Sequence, residues 1–334
     1  VNLLRIMKKI LVIGAGIIGL SISYYLKKHN YEVMVLEKNR AGSEASYAAA
    51  GMLAAQSEFD YYEKFMDFCI KSRNMYETFC REIENSSGIK AELTNNGFII
   101  PALIETEKDF LKQKYKWQKK KGFEVELLNN KELRNLEPRI SNKVISALHI
   151  KNDCQVNNRK LMEALIAANK KNDVRIIENC EVKGYIVKDD QINGVHTNKG
   201  NFDAYIVINA AGSWSSLISS KLFPSFKVKP ILGQMLSLAS NKKILEKTVF
   251  ALMMGKGCYI APRNDNTLVL GSTMEDVGFE KRLTGNAING ILKNAIKIIP
   301  ELKNLKIKEK WSGFRPTASD QLHIIGKTNI ENLI

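Results

Sequence analysis

Residues 9–19, Lys9-Ile10-Leu11-Val12-Ile13-Gly14-Ala15-Gly16-Ile17-Ile18-Gly19, decide the fold of this chain. A short apolar run leads directly into a G-x-G-x-x-G sequence, and a helical pattern follows it. A second apolar run, residues 31–37, then ends in Glu37. Strand, glycine turn, helix and terminal acid in this order distinguish a dinucleotide-binding fingerprint from an ordinary glycine-rich turn. The sequence therefore predicts an α/β domain that opens with a Rossmann-like βαβ unit.

Each position of the fingerprint has its own physical role. Gly14 permits the tight turn, Gly16 lets backbone amides approach a pyrophosphate, and Gly19 allows the helix to pack closely on the strand. The pyrophosphate would lie at the helix N-terminus, where unpaired N–H groups and the helix dipole favour an anion. Glu37 would accept hydrogen bonds from the adenosine ribose.

The composition is that of an ordinary globular protein, with 45% hydrophobic and 25% charged residues among 334. No apolar stretch reaches the roughly 20 residues that span a bilayer, and the apolar run near the start contains the fingerprint, so it is not interpreted as a signal peptide. Five scattered cysteines without C-x-x-C spacing and four unpaired histidines argue against a disulfide framework or a metal site. They favour a reducing compartment, and we expect a cytoplasmic protein. Met7 is the expected start.

The net charge of +15 raises the question of a nucleic-acid partner. The basic residues are spread along the chain, and the densest run, 114–121, falls on a predicted amphipathic helix. We interpret that run as a solvated helix face, and we expect neither a nucleic-acid nor a membrane partner.

The remaining pattern predicts two interleaved parts. Helices are expected at residues 61–86, 105–121, 131–137, 158–171 and 286–298. A strand meander begins at Val174, with hairpin signals at 189–191 and 198–201, and leads into the second glycine turn, 209–212. Antiparallel strands follow Lys229, including 306–311. We assign residues 7–87, 138–226 and 317–334 to a discontinuous nucleotide-binding domain, and 88–137 and 227–316 to a substrate domain.

Several stretches together resemble the amino-acid oxidase family of FAD enzymes, and within it the glycine oxidase branch. They are the fingerprint with Glu37, Ala48-Ala49-Ala50-Gly51-Met52, Asn95-Asn96-Gly97, Gly257-Cys258-Tyr259-Ile260-Ala261-Pro262-Arg263, Gly271-Ser272-Thr273-Met274 and Trp311-Ser312-Gly313-Phe314-Arg315-Pro316. The fingerprint is shared with many flavoproteins, whereas the alanine-rich box and the Trp311–Pro316 stretch are more specific. The resemblance implies a GR2-type FAD-binding domain interleaved with an antiparallel-sheet substrate domain.

The resemblance also implies an activity. Hydride transfer from the α-carbon of glycine, sarcosine or a small D-amino acid to FAD would give an imine, and O2 would re-oxidise the flavin with release of H2O2. The imine would hydrolyse to glyoxylate and ammonia, or pass to a thiazole synthase for thiamine. Three alternatives stay open: a D-amino-acid dehydrogenase of the same fold, an inactive remnant, and a tRNA-modifying FAD oxidoreductase. A homo-oligomer is compatible with the resemblance.

The resemblance further assigns roles to individual residues. Arg315 would bind the substrate carboxylate through its guanidinium fork, Tyr259 would wall the substrate pocket with its hydroxyl toward that carboxylate, and Met274 would line the pocket; no side-chain base is expected. The residues expected to bind FAD are Gly14, Gly16, Ile17, Ile18, Gly19, Glu37, Lys38, Ala45, Ser46, Ala50, Gly51, Met52, Val182, Ala211 and Gly212. In the family the strand that begins near Asn332 continues into a glycine turn and a helix that close over the flavin, and we expect this segment to be missing here.

Overall fold

The computed structural model of this chain describes residues 9–253 and 256–334. The expected start at Met7 lies outside the described residues. The helices are α1 (Ile17–Lys28), α2 (Ala45–Ala48), α3 (Lys64–Ser87), α4 (Glu105–Lys120), α5 (Asn130–Leu136), α6 (Asn158–Lys171), α7 (Ser215–Ser219) and α8 (Gly285–Ile298). The strands are β1 (Lys9–Ile13), β2 (Glu32–Leu36), β3 (Met52–Leu53), β4 (Leu93–Thr94), β5 (Phe98–Ala102), β6 (Val125–Asn129), β7 (Ser146–Ile150), β8 (Cys154–Val156), β9 (Arg175–Ile177), β10 (Val182–Lys188), β11 (Gln191–Thr197), β12 (Gly200–Asp203), β13 (Ile206–Asn209), β14 (Val228–Ala239), β15 (Thr248–Met253), β16 (Lys256–Pro262), β17 (Leu268–Gly271) and β18 (Lys306–Ala318).

The predicted Rossmann unit is confirmed as a parallel sheet with the strand order β13-β1-β2-β9. Successive side chains of a strand point to opposite faces, so one strand serves two layers. Val12 of β1 packs with Leu20 of α1 and Leu165 of α6. Its neighbours Leu11 and Ile13 pack against the three-stranded antiparallel sheet β10-β11-β12. The sheet is therefore buried on both faces, as its apolar strands require.

The two predicted hairpin turns of the strand meander are confirmed. Asp189 and Asp190 connect β10 to β11 with φ of 52° and 56°, the left-handed pair that a two-residue type I′ hairpin needs. The first expected strand of the meander behaves differently, because β9 pairs in parallel with β2 and extends the Rossmann sheet. The predicted strand at 332–334 is present only as a parallel bridge between Leu333 and Val207 of β13.

The second part is an eight-stranded sheet in the order β18-β14-β17-β16-β15-β5-β7-β6. Its strands are antiparallel except for the β5–β15 pair. Helix α8 covers one face through Ile288, Ile291 and Ala295. Strand β18 is longer than the expected 306–311, because the twelve-residue β14 pairs with it through to Ala318. Pro316 is compatible with this ladder because β18 lies at the sheet edge.

The proposed division into domains stays a prediction. Strand β7, which falls within the range 138–226 assigned to the nucleotide-binding part, pairs with β5 and β6 in the eight-stranded sheet. A third, small sheet has the strand order β3-β8-β4. Its first strand, β3, begins at the end of the alanine-rich box.

A buried polar cluster follows the alanine-rich box and has no signal in the sequence. Asp153 is fully buried and forms an ion pair with Arg73 at 2.9 Å. It also accepts hydrogen bonds from the backbone N–H groups of Gln56 and Ser57. Interpreting residues 114–121 as a solvated face was wrong for Lys114, which is buried and donates to the carbonyl of Ser57 at 2.6 Å.

In the described part of the chain no helix is long and apolar enough to cross a bilayer. Within the same residues, no group of three or more His, Cys, Asp or Glu side chains is arranged to hold a metal ion.

The Asp153–Arg73 pair generates a prediction about stability. Asp153→Ala should lower the free energy of unfolding by about 3–5 kcal/mol, because it leaves a buried guanidinium without its counter-charge. Urea denaturation measures this loss. Asp109→Ala is the matched control, since Asp109 forms an exposed pair with Lys112 and such pairs contribute little. A loss for Asp153→Ala no larger than that of the control would contradict the assignment.

Glu137 generates a prediction about pH. Its buried carboxylate accepts from the backbone N–H groups of Lys247 and Glu246, and burial raises the pKa of Glu137 from 4.5 to about 7. Between these values the folded state holds more protons than the unfolded state, so the contribution of Glu137 is greatest below pH 4.5 and is lost as pH rises through 7. As the pH rises from acidic to mildly alkaline values, the free energy of unfolding of Glu137→Gln should therefore increase by about 1–3 kcal/mol relative to that of the parent.

Denaturation of the parent and of Glu137→Gln across this pH range tests the prediction, with Glu163→Gln on the exposed face of α6 as the matched control. A difference between the parent and Glu137→Gln that does not change with pH would contradict it.

Candidate functional site

A cavity of about 470 Å³ opens where β1, β2 and β13 end. This is the edge of a parallel sheet at which such folds bind nucleotides. Most residues predicted to bind FAD line it. They are Gly14, Gly16, Ile17, Ile18, Glu37, Lys38, Ala45, Ser46, Val182, Ala211 and Gly212. Pro316 of β18 also lines the cavity, so the cavity extends to the strand that carries Arg315.

Two glycines of the fingerprint are required by close backbone contacts. Gly14 has a φ of 99°, and a Cβ atom there would lie 2.5 Å from the carbonyl oxygen of Ala210. A Cβ atom at Gly19 would lie 2.0 Å from the carbonyl oxygen of Gly14. Helix α1 can therefore start close to the turn, with its N-terminus facing the cavity.

The N-terminus of α1 suits an anion. Its N-cap is Gly16, which provides no side-chain cap, and no acidic residue lies in the first turn. The Ile17 N–H donates to the hydroxyl of Ser46, which ties the alanine-rich segment to the helix at 2.9 Å. Unpaired N–H groups at a helix start bind phosphate groups.

Glu37 is held rigidly at the end of β2. One carboxylate oxygen accepts from the Ala15 N–H at 2.7 Å, and the other accepts from the Asn39 N–H at 2.9 Å. Burial raises the pKa of Glu37, while these two hydrogen bonds lower it. Each carboxylate oxygen has a second lone pair, so Glu37 can still accept from ribose hydroxyls. Turn, helix start and acid together fit the ADP half of a dinucleotide.

The alanine-rich box, residues 48–52, is fixed from the side of the eight-stranded sheet. The Trp311 indole N–H donates to the carbonyl of Ala48 at 3.0 Å, and the Arg263 guanidinium donates to the carbonyl of Ala50 at 2.7 Å. Gly51, with a φ of 68°, approaches so closely that a Cβ atom would lie 2.0 Å from the carbonyl oxygen of Val156. Ala50, Gly51 and Met52 do not line the cavity itself, and their contact with FAD stays a prediction.

The three predicted substrate residues lie in different surroundings. Arg315 is exposed on β18, and no hydrogen bond or ion pair to its guanidinium is formed by residues 9–253 or 256–334. Tyr259 is buried, and its hydroxyl donates to the sulfur of Met235 at 2.8 Å. Met274 is 63% exposed. The roles of all three stay predictions.

Glu58 is a charged residue near Arg315 that no sequence motif indicates. Glu58 is exposed, yet protein atoms around its carboxylate displace water, which raises the pKa of Glu58. The Arg315 guanidinium is the largest opposing influence on that pKa. A carboxylate and a guanidinium thus lie close enough to interact electrostatically. Only the fold reveals their proximity, because the two residues lie far apart in the sequence.

Comparison with known proteins agrees with this geometry. The family model described as DAO, FAD dependent oxidoreductase, matches residues 9–334. The glycine oxidase of Geobacillus kaustophilus is 31% identical over 318 residues, which are 95% of this chain and 83% of that protein. The bifunctional protein ThiO/ThiG of Trichormus variabilis is 30% identical over 335 residues, which are 98% of this chain but 49% of that protein.

The fold agrees as well. The crystal structure of the Geobacillus kaustophilus glycine oxidase superposes with a TM-score of 0.93 at 30% identity, covering 98% of this chain and 88% of that one. The resemblance and the FAD cofactor expected from the sequence are therefore confirmed. This chain belongs to the DAO family of FAD-dependent oxidoreductases.

Proposed function

We propose that this chain catalyses the FAD-dependent oxidative deamination of glycine or of a similarly small amine such as sarcosine or a small D-amino acid. The observation that carries the proposal is the Arg315 guanidinium, which has no hydrogen-bond or ion-pair partner among the described residues and lies one residue from the cavity-lining Pro316. The overall reaction would convert glycine, O2 and water to glyoxylate, ammonia and H2O2. The 31% identity to a glycine oxidase supports this choice of substrate class.

The residues divide the binding of the cofactor into two parts. Glu37 and the α1 N-terminus would hold the ADP half of FAD, and the box at 48–52 would support the flavin ring. FAD, when bound, supplies the acceptor for two electrons from the substrate α-carbon. The protein contributes binding, orientation and electrostatics, which is its usual share in cofactor chemistry.

Arg315 would set the position of the substrate. A guanidinium presents two parallel N–H donors that match a carboxylate, and this pairing fixes orientation as well as charge. Glu58 would face the opposite charge, the substrate ammonium, because its carboxylate lies within electrostatic range of Arg315. Two opposite charges so close to each other would suit a short zwitterion, which favours small amino acids.

The product imine would pass to a partner or hydrolyse. In the relative from Trichormus variabilis the name ThiO/ThiG describes one bifunctional protein. We infer that a thiazole synthase is the acceptor of the imine here as well, in the pathway to the thiazole of thiamine.

Arg315→Ala tests the carboxylate contact. Loss of two charge-assisted hydrogen bonds, at about 1.5–3 kcal/mol each, should lower kcat/KM for glycine by about two to four orders of magnitude. Steady-state peroxide release by the FAD-loaded variant measures this. Arg134→Ala is the matched control, because Arg134 is exposed on α5, away from β18. Unchanged kcat/KM in the FAD-loaded Arg315→Ala chain would exclude the assignment.

Glu37→Gln tests the ribose contact. The amide group of glutamine offers one acceptor where the carboxylate offers two, so it cannot satisfy the Ala15 and Asn39 N–H groups and the ribose together. We expect the Kd for FAD to rise by about 10- to 100-fold, from roughly 1.5–3 kcal/mol for a hydrogen bond to a charged group. Titration of the FAD-free chain, followed by quenching of flavin fluorescence, gives the Kd.

Glu32→Gln is the control for this measurement, since Glu32 begins the same strand but is exposed. Equal FAD affinities for the two variants would show that Glu37 does not contact the cofactor.

A further inference from the structure

Arg263 is an enclosed cation with only neutral hydrogen-bond partners. Directly after β16, its guanidinium donates to the side-chain oxygens of Gln155 and Asn158 and to the carbonyls of Val156 and Ala50, at 3.2, 3.1, 3.3 and 2.7 Å respectively. No carboxylate among the described residues forms an ion pair with it. An arginine so placed is unusual, because buried charges are normally paired.

The carboxylates around Arg263 are already neutralised by other cations. Glu92 is paired with Lys160, and Asp265 with Lys308. Burial lowers the pKa of Arg263 to about 10, so the group remains charged at neutral pH. The local charge is therefore positive and uncompensated.

This charge lies directly behind the box at 48–52. Asn158, one of its acceptors, donates in turn to the carbonyls of Ser46 and Tyr47, both at 2.9 Å. The carbonyls of residues 46, 47 and 50 thus all face the Arg263–Asn158 pair. Arg263 therefore determines how the backbone of this segment is turned.

The orientation of the Ala50–Gly51 peptide also determines the direction of the Gly51 N–H. In a trans peptide the C=O and the N–H point in opposite directions. Because the Ala50 carbonyl points at Arg263, the Gly51 N–H points away from it. Within the described residues this N–H donates to no protein acceptor.

We propose that Arg263 is a positioning residue for the flavin: it directs the Gly51 N–H toward the flavin ring, and its charge, transmitted through the Ala50–Gly51 peptide, raises the reduction potential of bound FAD. Reduction by two electrons with uptake of one proton leaves the cofactor with one more negative charge, which a nearby cation stabilises. The inference rests on the proposed placement of the flavin ring against residues 48–52. It does not depend on which amine is the substrate.

Two variants separate the charge of Arg263 from its hydrogen bonds. Arg263→Gln removes the charge, whereas Arg263→Lys keeps the charge but cannot hold all four acceptors. The two-electron midpoint potential of the FAD-loaded chains is measured against a reference dye, without any amine. Arg263→Gln should lower the equilibrium constant for reduction at least tenfold, which corresponds to about 30 mV, whereas Arg263→Lys should stay within threefold of the parent.

Amide hydrogen exchange provides the second measurement. Without FAD, the backbone amide hydrogens of residues 46–53 should exchange faster in both variants than in the parent. In the parent, FAD should slow exchange in the peptide that contains Gly51. Arg139→Gln is the matched control, because the half-buried Arg139 is paired with Glu301 and has no hydrogen bond or ion pair with residues 46–53, and it should change neither measurement.

Three results would overturn the inference. A parent-like potential in Arg263→Gln would leave Arg263 as a structural anchor only. A potential in Arg263→Lys as low as in Arg263→Gln would exclude the charge as the cause. Absence of protection around Gly51 by FAD would show that the flavin lies elsewhere.

If Arg263→Gln does not retain FAD, Arg263→Lys decides alone. A parent-like potential with faster exchange in Arg263→Lys supports the inference, and a tenfold lower equilibrium constant for reduction overturns it. Loss of glycine turnover in any variant bears on the proposed substrate instead.

Discussion

The close approach of the backbone at Gly14 is the constraint on which the rest of the site depends. The strand-to-helix turn after β1 and the turn after β13 meet there, with the Ala210 carbonyl 2.5 Å from the position that a Gly14 Cβ would occupy. A side chain at this position would force the two turns apart. Their contact allows α1 to begin beside the sheet edge, and Glu37 at the end of β2 binds the same turn through Ala15. The cavity at this edge of the parallel sheet follows from these three neighbouring features.

Two segments extend from this cavity toward the eight-stranded sheet. The alanine-rich segment begins at Ser46, which caps the Ile17 N–H, and continues to Gly51 against the carbonyl of Val156. Strand β18 approaches from the other sheet, where Gly313 lies against Ala48 so closely that a Cβ atom there would be 2.4 Å from the Ala48 Cβ. Small residues are therefore needed where the segments cross. The same strand brings Pro316 to the cavity, and donors such as Arg263 and Trp311 keep the alanine-rich segment in place.

Local sequence signals predicted the parts of the structure that are determined locally. The fingerprint, the Asp189-Asp190 hairpin and most helices follow from backbone requirements of neighbouring residues. Features that depend on distant partners were not predictable. The length of β18 depends on β14, the burial of Lys114 depends on Ser57, and Asp153 meets Arg73 across eighty positions of sequence. The same limit applies to the candidate site: Arg315 was predicted because it lies in a motif, whereas the proximity of Glu58 to Arg315 and the contact of Tyr259 with Met235 are tertiary.

The most direct test of the account is the visible spectrum of the FAD-loaded chain before and after anaerobic addition of glycine. Without oxygen, electrons taken from an amine remain on the flavin, so this measurement registers the chemical step itself and is independent of the fate of the imine. We expect glycine to bleach the oxidised flavin band, and the band to return when air is admitted. An FAD-loaded chain whose band is unchanged by glycine, sarcosine and small D-amino acids, although dithionite bleaches it, would contradict the proposal that small amines are its substrates.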